Sequence, residues 1–550
     1  MSARISALQA ARASYTPKLP QVLTAQGQKI ELGQPTAPLS DAEAIAERFP
    51  QTYGQPVATI VAADAAAAPR PLKVGVVLSG GQAPGGHNVI AGLFDAVKAV
   101  HPDSQLFGFL KGPGGVIKGK YVELTAESIL PYRNTGGFSM IMSGRDKIEK
   151  PEDLEACYQN FEKMGLDGLA VVGGDDSNTN AAVLAEYLKA KGSSTVVVGV
   201  PKTIDGDMKN EQIETSFGFD TACKVYSELI GNIARDATSA VKYWHFIRLM
   251  GRAASHVTLE CALQTQPNVA LISEQVEADG KTLGDVVDTI VEAVIARAEA
   301  GRHYGILLLP EGIIEFMPDL KKLIRELQDI LHANEKYITG LPNHEERVQY
   351  VVGQLPADSA KVYATLPGGV QAVLLTCDSH GNIPLSQVET ERLLMDLAAD
   401  KIRLLEKQRG AKYKFQPLGH FLGYEGRCAA PTNFDADYCY SLGYTAALFV
   451  RDGLTGYTVH VRNLMAPAAE WKPGGTPVTM MLNMEQRKGK PTPVIKKTLV
   501  DLAGKPLAQL TANAADWAIN DCYVQPGPIQ YFGPTEVCDQ PTETLRLEWS

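Results

Sequence analysis

The sequence lacks the features that mark several large classes of protein. Its eight cysteines contain no CxxC pair, so a zinc or dithiol redox motif is not indicated and reduced thiols are expected. With 52 Lys and Arg against 62 Asp and Glu, the net charge is −10, which argues against nucleic acid or anionic lipid as a partner. No run of 18 apolar residues and no secretory signal is present. We therefore expect a cytoplasmic protein without a membrane span.

What the sequence does contain is a repeated alternation of apolar strands and helices. Its 550 residues, 45% apolar, suffice for two or more cores. Continuous apolar runs, each ending in a Gly-rich or charged motif, are Lys73–Leu78, Leu169–Val172, Thr195–Val200, His245–Met250 and Gly305–Leu309. This pattern predicts an α/β fold with parallel sheets buried on both faces. Because such sheets bind ligands at the carboxyl ends of their strands, we expect the motifs to form one site.

The first motif is a glycine-rich turn at residues 80–86. It is neither a Walker A loop nor a GxGxxG fingerprint. Glycines between a strand and a helix let backbone N–H groups approach a phosphate. A plain tight turn is the alternative.

The second and third motifs carry the acids. Gly-Gly-Asp-Asp-Ser at 173–177 offers carboxylates suited to Mg²⁺, although Asp176 or Ser177 would alternatively cap a helix expected from about Asn178. Pro201–Asp207 combines two acids with Lys202. These residues could serve as the base, the anchor for the hydroxyl group and the cation that neutralises developing charge, which are the parts that phosphoryl transfer requires. The alternative here is an Asx turn with an exposed Asp207.

Isolated cationic and polar residues are weaker signals. Arg145 is suited to clamping a phosphate, but a surface arginine is the simpler interpretation, as it is for Arg252 and Arg427 taken singly. Lys242 and Tyr243 are equally consistent with surface and packing positions.

Taken together, the motifs resemble those of the phosphofructokinase superfamily. They occur in the family's order: Gly-Gly-x-x-Pro-Gly at 80–85, Gly-Gly-Asp-Asp-Ser at 173–177, Thr-Ile-Asp-Gly-Asp at 203–207, Met-Gly-Arg at 250–252, Pro-Glu-Gly at 310–312 and Gly-Tyr-Glu-Gly-Arg at 423–427. Asp176 and Lys202 stand where ATP-dependent relatives usually have glycine, which resembles the long-chain pyrophosphate-dependent branch. A carboxylate there adds bulk and like charge against a nucleotide phosphate.

The resemblance implies a role for each matching position. Asp205 accepts the proton of the 1-hydroxyl of fructose 6-phosphate, Lys202 stabilises the transition state, and Asp175 binds Mg²⁺. The Gly80 N–H and Arg145 contact pyrophosphate. The positions that bind the sugar phosphate are Thr203, Ile204, Asp205, Met250, Gly251, Arg252, Glu311, Tyr424, Glu425, Gly426 and Arg427, with Lys242 and Tyr243 reaching in from the neighbouring subunit of a homodimer.

The composition along the chain and the resemblance together predict a domain plan, and the resemblance implies a reaction. An extension at 1–72 precedes a pyrophosphate- and Mg²⁺-binding domain at 73–240. A discontinuous fructose-6-phosphate domain at 241–317 and 413–475 surrounds a helical insertion at 318–412, and 476–550 packs back on the core. The implied reaction is reversible phosphoryl transfer from pyrophosphate to fructose 6-phosphate, in glycolysis and gluconeogenesis. Alternatives are an ATP-dependent phosphofructokinase, a non-catalytic regulatory subunit, and a lipid or NAD kinase.

Overall fold

The computed structural model describes residues 7–65, 68–377, 383–487, 490–528 and 539–550. Its strands are β1 Gln28–Pro35, β2 Pro56–Ala62, β3 Lys73–Ser79, β4 Gln105–Phe109, β5 Tyr121–Leu124, β6 Ser143–Gly144, β7 Gly168–Gly173, β8 Val196–Pro201, β9 Tyr243–Leu249, β10 Val269–Ala270, β11 Tyr304–Pro310, β12 Pro417–Leu422, β13 Tyr457–Arg462, β14 Lys472–Pro477, β15 Leu482–Arg487 and β16 Lys490–Ile495.

The helices along the chain are α1 Ala7–Ala13, α2 Ala42–Arg48, α3 Gly86–Val100, α4 Pro113–Ile117, α5 Ala126–Ile129, α6 Pro151–Met164, α7 Asp175–Ala190, α8 Phe219–Ala240, α9 His256–Thr265, α10 Ser273–Ala278, α11 Leu283–Glu299, α12 Pro318–Ala333, α13 Glu335–Gly340, α14 His344–Gln354, α15 Ala357–Thr365, α16 Gly368–Leu374, α17 Thr390–Arg409, α18 Tyr424–Arg427, α19 Asn433–Arg451, α20 Val478–Met481, α21 Lys505–Ile519 and α22 Glu543–Trp549. Short 3₁₀ helices lie at Gln21–Thr24, Leu130–Tyr132, Ile313–Glu315, Leu385–Gln387 and Ala468–Glu470.

The chain divides into two compact units. Unit 1 comprises Met1–Val225, Tyr424–Thr498 and Pro528–Ser550, and unit 2 comprises Tyr226–Gly423 and Leu499–Gly527. The roles assigned to the predicted domains stay predictions.

A mixed sheet forms the centre of unit 1, in the order β1-β2-β14-β13-β8-β7-β3-β4-β5. The strands from β13 to β4 run parallel, and antiparallel strands flank them on both sides. Every residue of β7 and β8 is buried, which explains why these strands are continuously apolar instead of alternating. The predicted α/β fold with parallel sheets is confirmed.

Part of the predicted extension at 1–72 belongs to the main sheet. Its hairpin of β1 and β2 joins the main sheet, where β2 pairs with β14. The sequence pattern did not predict this hairpin, because most of β1 is exposed and therefore carries little apolar signal.

Helices α3 and α19 of unit 1 pack at very short range. A Cβ atom on Gly92 would lie 2.1 Å from the carbonyl oxygen of Tyr440, and one on Gly443 would lie 2.1 Å from that of Val89. Only glycine permits two backbones to approach this closely.

Unit 2 contains a second parallel sheet, in the order β10-β11-β9-β12. Apolar residues recur at helical spacing between Leu283 and Ala300 and predict a helix there, which α11 confirms. Its expected apolar face is buried, namely Val286, Val287, Ile290, Val291, Val294 and Ile295. Helices α12 to α17 confirm the helical character of residues 318–412, and their apolar side chains join the same core.

No helix among the described residues is long and apolar enough to cross a membrane. The cysteines in this part of the chain are all free thiols, and Cys538 lies outside it.

Candidate active site

Three of the predicted motifs follow neighbouring strands of the unit 1 sheet. β3 and β7 are in register through Leu78 and Val172, and β7 and β8 through Gly173 and Pro201. The turns that begin at Gly80, Gly174 and Lys202 therefore emerge side by side at one sheet edge, as the parallel arrangement leads one to expect.

Three cationic side chains converge on the glycine turn after β3. A Cβ atom on Gly81 would lie 2.1 Å from Nη1 of Arg427 and 3.7 Å from Nη2 of Arg145, and one on Gly80 would lie 3.4 Å from Nζ of Lys202. Gly80 also has a φ of +82°, which other residues rarely adopt. In an acidic chain this local positive charge favours an anion such as a phosphate.

The Gly80 amide is already paired within the protein. It donates to the carbonyl oxygen of Gly144 at 2.9 Å, and β6 pairs with the end of β3. This bond holds Arg145, the residue after Gly144, beside the turn. The structure thus brings Arg145 to the motif, whereas the sequence alone favoured an ordinary surface arginine.

Lys202 is the buried member of the cationic group. Burial and the guanidinium of Arg427 lower the pKa of Lys202 to about 8, while the carboxylates of Asp205 and Asp175 act in the opposite direction. A phosphate bound beside Lys202 would favour its charged form.

The second motif starts a helix earlier than predicted. Helix α7 begins at Asp175 rather than near Asn178, and its N-cap residue, Gly174, makes no side-chain cap bond. The side-chain amide of Asn178 instead donates to the carbonyl oxygens of Gly173 at 2.6 Å and Gly174 at 3.0 Å. The alternative in which Asp176 or Ser177 caps the helix is therefore wrong.

The two aspartates of this motif lie in different surroundings. Asp175 is half-buried, and Asp176 is exposed, with Oδ2 3.9 Å from Nζ of Lys147. Asp176 is thus an exposed negative charge on the first turn of α7.

In the third motif, both acids are held by the fold. Asp205 is half-buried, and its amide donates to the Thr203 hydroxyl at 3.0 Å, while Ile204 is buried. Asp207 is also buried, so the alternative of an Asx turn with an exposed Asp207 is wrong.

Lys497 is a site residue that the sequence did not predict. Its Nζ lies 3.6 Å from Oδ2 of Asp175 and 3.6 Å from Oδ2 of Asp207. The chain offers no local signal for it, because Lys497 follows β16 far downstream and only the fold brings it to the motifs.

Arg427 reaches the glycine turn because the segment around it is tightly packed. A Cβ atom on Gly136 would lie 2.0 Å from the carbonyl oxygen of Cys428, just after α18. Within α18, Gly426 is buried while Tyr424 and Glu425 are exposed.

In unit 2, two predicted sugar-binding segments lie together. Met250–Arg252 follows β9 and Glu311 follows β11, and the Glu311 amide donates to the carbonyl oxygen of Leu249 at 2.9 Å. A Cβ atom on Gly312 would lie 1.9 Å from the Arg252 carbonyl oxygen, so the two loops are in contact.

Lys242 and Tyr243 lie at the opposite end of β9 from Met250. Seven strand residues separate the two ends by about 23 Å. Nζ of Lys242 lies 4.8 Å from the Tyr243 ring centroid, and Tyr243 has a φ of +75°, a strained value for an aromatic residue.

The family described as phosphofructokinase matches residues 73–356, just over half of the chain. The chain belongs to the phosphofructokinase family. The sequence resemblance to this family is therefore confirmed.

Two relatives cover almost the full length. The pyrophosphate–fructose 6-phosphate 1-phosphotransferase of Porphyromonas gingivalis is 53% identical over 544 residues, covering 99% of each chain. That of Treponema pallidum is 50% identical over 556 residues, covering 99% of this chain and 97% of the relative. A crystal structure of a pyrophosphate-dependent phosphofructokinase from Marinobacter aquaeolei shares the fold, with a TM-score of 0.52, 14% identity, and coverage of 82% of this chain and 93% of that one.

Proposed function

We propose that the protein transfers a phosphoryl group reversibly from pyrophosphate to the 1-hydroxyl of fructose 6-phosphate, giving fructose 1,6-bisphosphate and phosphate. The observation that carries this proposal is the convergence of Lys202, Arg145 and Arg427 on the Gly80–Gly81 turn. Both full-length relatives described above have names that specify this donor and this acceptor.

The side chains of unit 1 supply the parts of a direct in-line transfer. Asp205 accepts the proton of the attacking 1-hydroxyl, and Lys202 stabilises the negative charge that develops on the transferred group. Arg145 orients the donor phosphate. No covalent intermediate is required, because positioning and electrostatics supply most of the catalysis in phosphoryl transfer.

The acceptor is assigned to the positions implied by the family motifs. Thr203 and Ile204 precede the base directly. The other positions are Met250, Gly251, Arg252 and Glu311 for the sugar, and Tyr424, Glu425, Gly426 and Arg427 for its phosphate. The contact between the Arg252 and Glu311–Gly312 loops supports their joint role.

Mg²⁺ is the proposed cofactor. Asp175 and Asp207 already face a cation, since each has an oxygen 3.6 Å from the Lys497 ammonium. Two carboxylates together with phosphate oxygens are a ligand set that suits Mg²⁺. When bound there, the metal would neutralise charge on the donor phosphates.

The donor choice is assigned to Asp176 and Lys202. Asp176 places an exposed negative charge where ATP-dependent relatives usually have glycine, so it disfavours a nucleotide phosphate. A non-catalytic regulatory subunit is expected to lack the catalytic acids, yet Asp175, Asp205 and Asp207 are all present.

A homodimer with shared active sites is part of the proposal. Lys242 and Tyr243 lie about 23 Å from the sugar-binding end of their own strand, which supports a contribution to the site of a second copy. We also place the protein in the cytoplasm, in glycolysis and gluconeogenesis.

A steady-state assay with fructose 6-phosphate and Mg²⁺, offering pyrophosphate or ATP in parallel, tests the function. Turnover with pyrophosphate alone is expected. Asp205→Ala should lower kcat by roughly 10²–10⁴ or more, the value of a general base, with an unchanged melting temperature. Turnover with ATP alone would overturn the donor, and no turnover with either donor would favour a regulatory subunit.

A further inference from the structure

The segment that carries Lys497 is fixed to the active-site loop by its backbone. The Thr498 amide donates to the carbonyl oxygen of Asp207 at 2.8 Å, and the Thr498 hydroxyl donates to that of Lys209 at 2.6 Å. The Lys496 amide donates to the carbonyl oxygen of Met481 at 3.1 Å. The backbone is therefore held, and the long side chain of Lys497 can still change its direction.

The Lys497 ammonium lies between two carboxylates that come from different strands. Asp175 follows β7 and Asp207 follows β8, and the Asp207 side chain is only 8% exposed. The distance of 3.6 Å to each is longer than a charge-assisted hydrogen bond, so the ammonium is shared by both acids. Without a cation, two acids at one sheet edge would repel each other.

We propose that Lys497 is a tethered cation that competes with the divalent metal for Asp175 and Asp207 and thereby makes tight metal binding depend on the donor. This inference rests on the proposed function, which places the metal at these two carboxylates. It assigns to Lys497 a positioning role that its place in the sequence does not suggest.

The charge balance explains the dependence on the donor. With Lys497 in place, the set of Asp175, Asp207 and Lys497 holds two negative charges and one positive charge, and the Lys202 ammonium also acts on Asp175. A divalent ion added to this set gives three positive charges against two negative ones, an excess that weakens its binding. Pyrophosphate supplies the missing negative charge and offers Lys497 a new partner, so metal and donor bind tightly only together.

Mn²⁺ binding to the full-length protein without donor, followed by electron paramagnetic resonance, tests the proposal. Lys497→Met keeps most of the side-chain stem and removes the charge. It should bind Mn²⁺ about tenfold more tightly than the wild type, or more, because one opposing charge near the metal is gone. Lys496→Met, which removes the adjacent exposed lysine, is the matched control and should bind like the wild type. Unchanged or weaker Mn²⁺ binding in Lys497→Met would overturn the proposal.

Two further measurements separate this inference from the proposed function. Lys497→Gln should repeat the gain in Mn²⁺ affinity, and melting temperatures show that both variants are folded. With saturating metal, Lys497→Met should turn over pyrophosphate more slowly than Lys496→Met, since the donor has lost a cation. If the wild type fails to use pyrophosphate while the gain in Mn²⁺ affinity persists, the function is wrong and the competition stands.

Discussion

The Lys202 ammonium loses its proton at a lower pH than an ordinary lysine does. Burial and Arg427 lower its pKa, and Asp205 and Asp175 limit this effect. Because a bound phosphate favours the charged form, the donor and the proton should bind to this site cooperatively. The cost of burying the charge is thus offset most when the substrate is present.

The KM for pyrophosphate should depend on pH through Lys202. The free protein carries the ammonium below about pH 8 and loses it above, so KM should be level below pH 8. Above it, KM should rise by up to about tenfold per pH unit as the charged fraction falls. Steady-state kinetics between pH 6.5 and 9.5 measure this, with Lys202→Met as the variant that lacks the group. Parallel profiles for both proteins would contradict the assignment.

Asp176 should be the residue that excludes ATP. Asp176→Gly removes a negative charge and its bulk from the first turn of α7, so turnover with ATP should increase by about tenfold or more. Parallel assays with ATP and pyrophosphate measure the change. Lys147→Met, which removes the lysine 3.9 Å from Asp176 but leaves the carboxylate, is the control and should stay inactive with ATP. Equal ATP turnover in Asp176→Gly and the wild type would leave Lys202 to account for the donor choice.

The crossing of helices α3 and α19 helps to hold the Gly80–Gly81 turn in place. Helix α3 begins at Gly86, directly after that turn, and α19 follows the segment that carries Arg427. Glycines on both helices allow the backbones to touch. The position of two site segments thus depends on a helix contact.

Gly92→Ala should destabilise this crossing. The new methyl group would meet the Tyr440 carbonyl oxygen at 2.1 Å, and neither backbone can move cheaply. A loss of about 1–3 kcal/mol in the free energy of unfolding is expected for such overpacking, measured by urea denaturation. Gly353→Ala is the matched control on the exposed face of α14, where no atom lies within 4 Å. It should stabilise the protein by up to about 1 kcal/mol, and a similar gain in Gly92→Ala would refute the tight crossing.

At the scale of the whole molecule, each unit has its own sheet and its own set of functional segments. The motifs proposed to bind phosphate and metal follow strands of unit 1, and Met250–Arg252 and Glu311, which are proposed to bind the sugar, follow strands of unit 2. Lys242 and Tyr243 lie at the far end of β9 from Met250–Arg252 of the same unit. Their exposed or half-exposed side chains suit a contribution to a second copy of the chain.

Mixing two inactive variants tests the shared site. Asp205→Ala lacks the base and Lys242→Ala lacks the lysine supplied to the partner, so a mixed dimer restores one complete site. Dissociating and reassociating equal amounts should recover about a quarter of the wild-type activity, as random pairing in a dimer predicts. The same procedure on each variant alone is the control, and no recovery in the mixture would argue that each chain completes its own site.

The pattern of apolar runs and motifs along the chain was enough to predict the α/β fold and the location of the motifs at strand ends. Continuous apolar strands are stable in a parallel sheet that is covered on both faces. The carboxyl ends of its strands lie at one edge, so the motifs that follow neighbouring strands lie side by side. This was sufficient to predict that Asp175, Lys202 and Gly80 lie together. Local patterns also predicted α11 and its buried face correctly.

Groups that come from distant parts of the chain are positioned by long-range contacts, which the sequence pattern does not show. Lys497 and Arg145 reach the motifs through pairing and backbone hydrogen bonds that no local pattern encodes. The exposed strand β1 and the start of α7 at Asp175 were not predicted either, because local apolar patterns do not encode them. Long-range pairing and the Asn178 bonds, rather than apolar periodicity, stabilise these two elements.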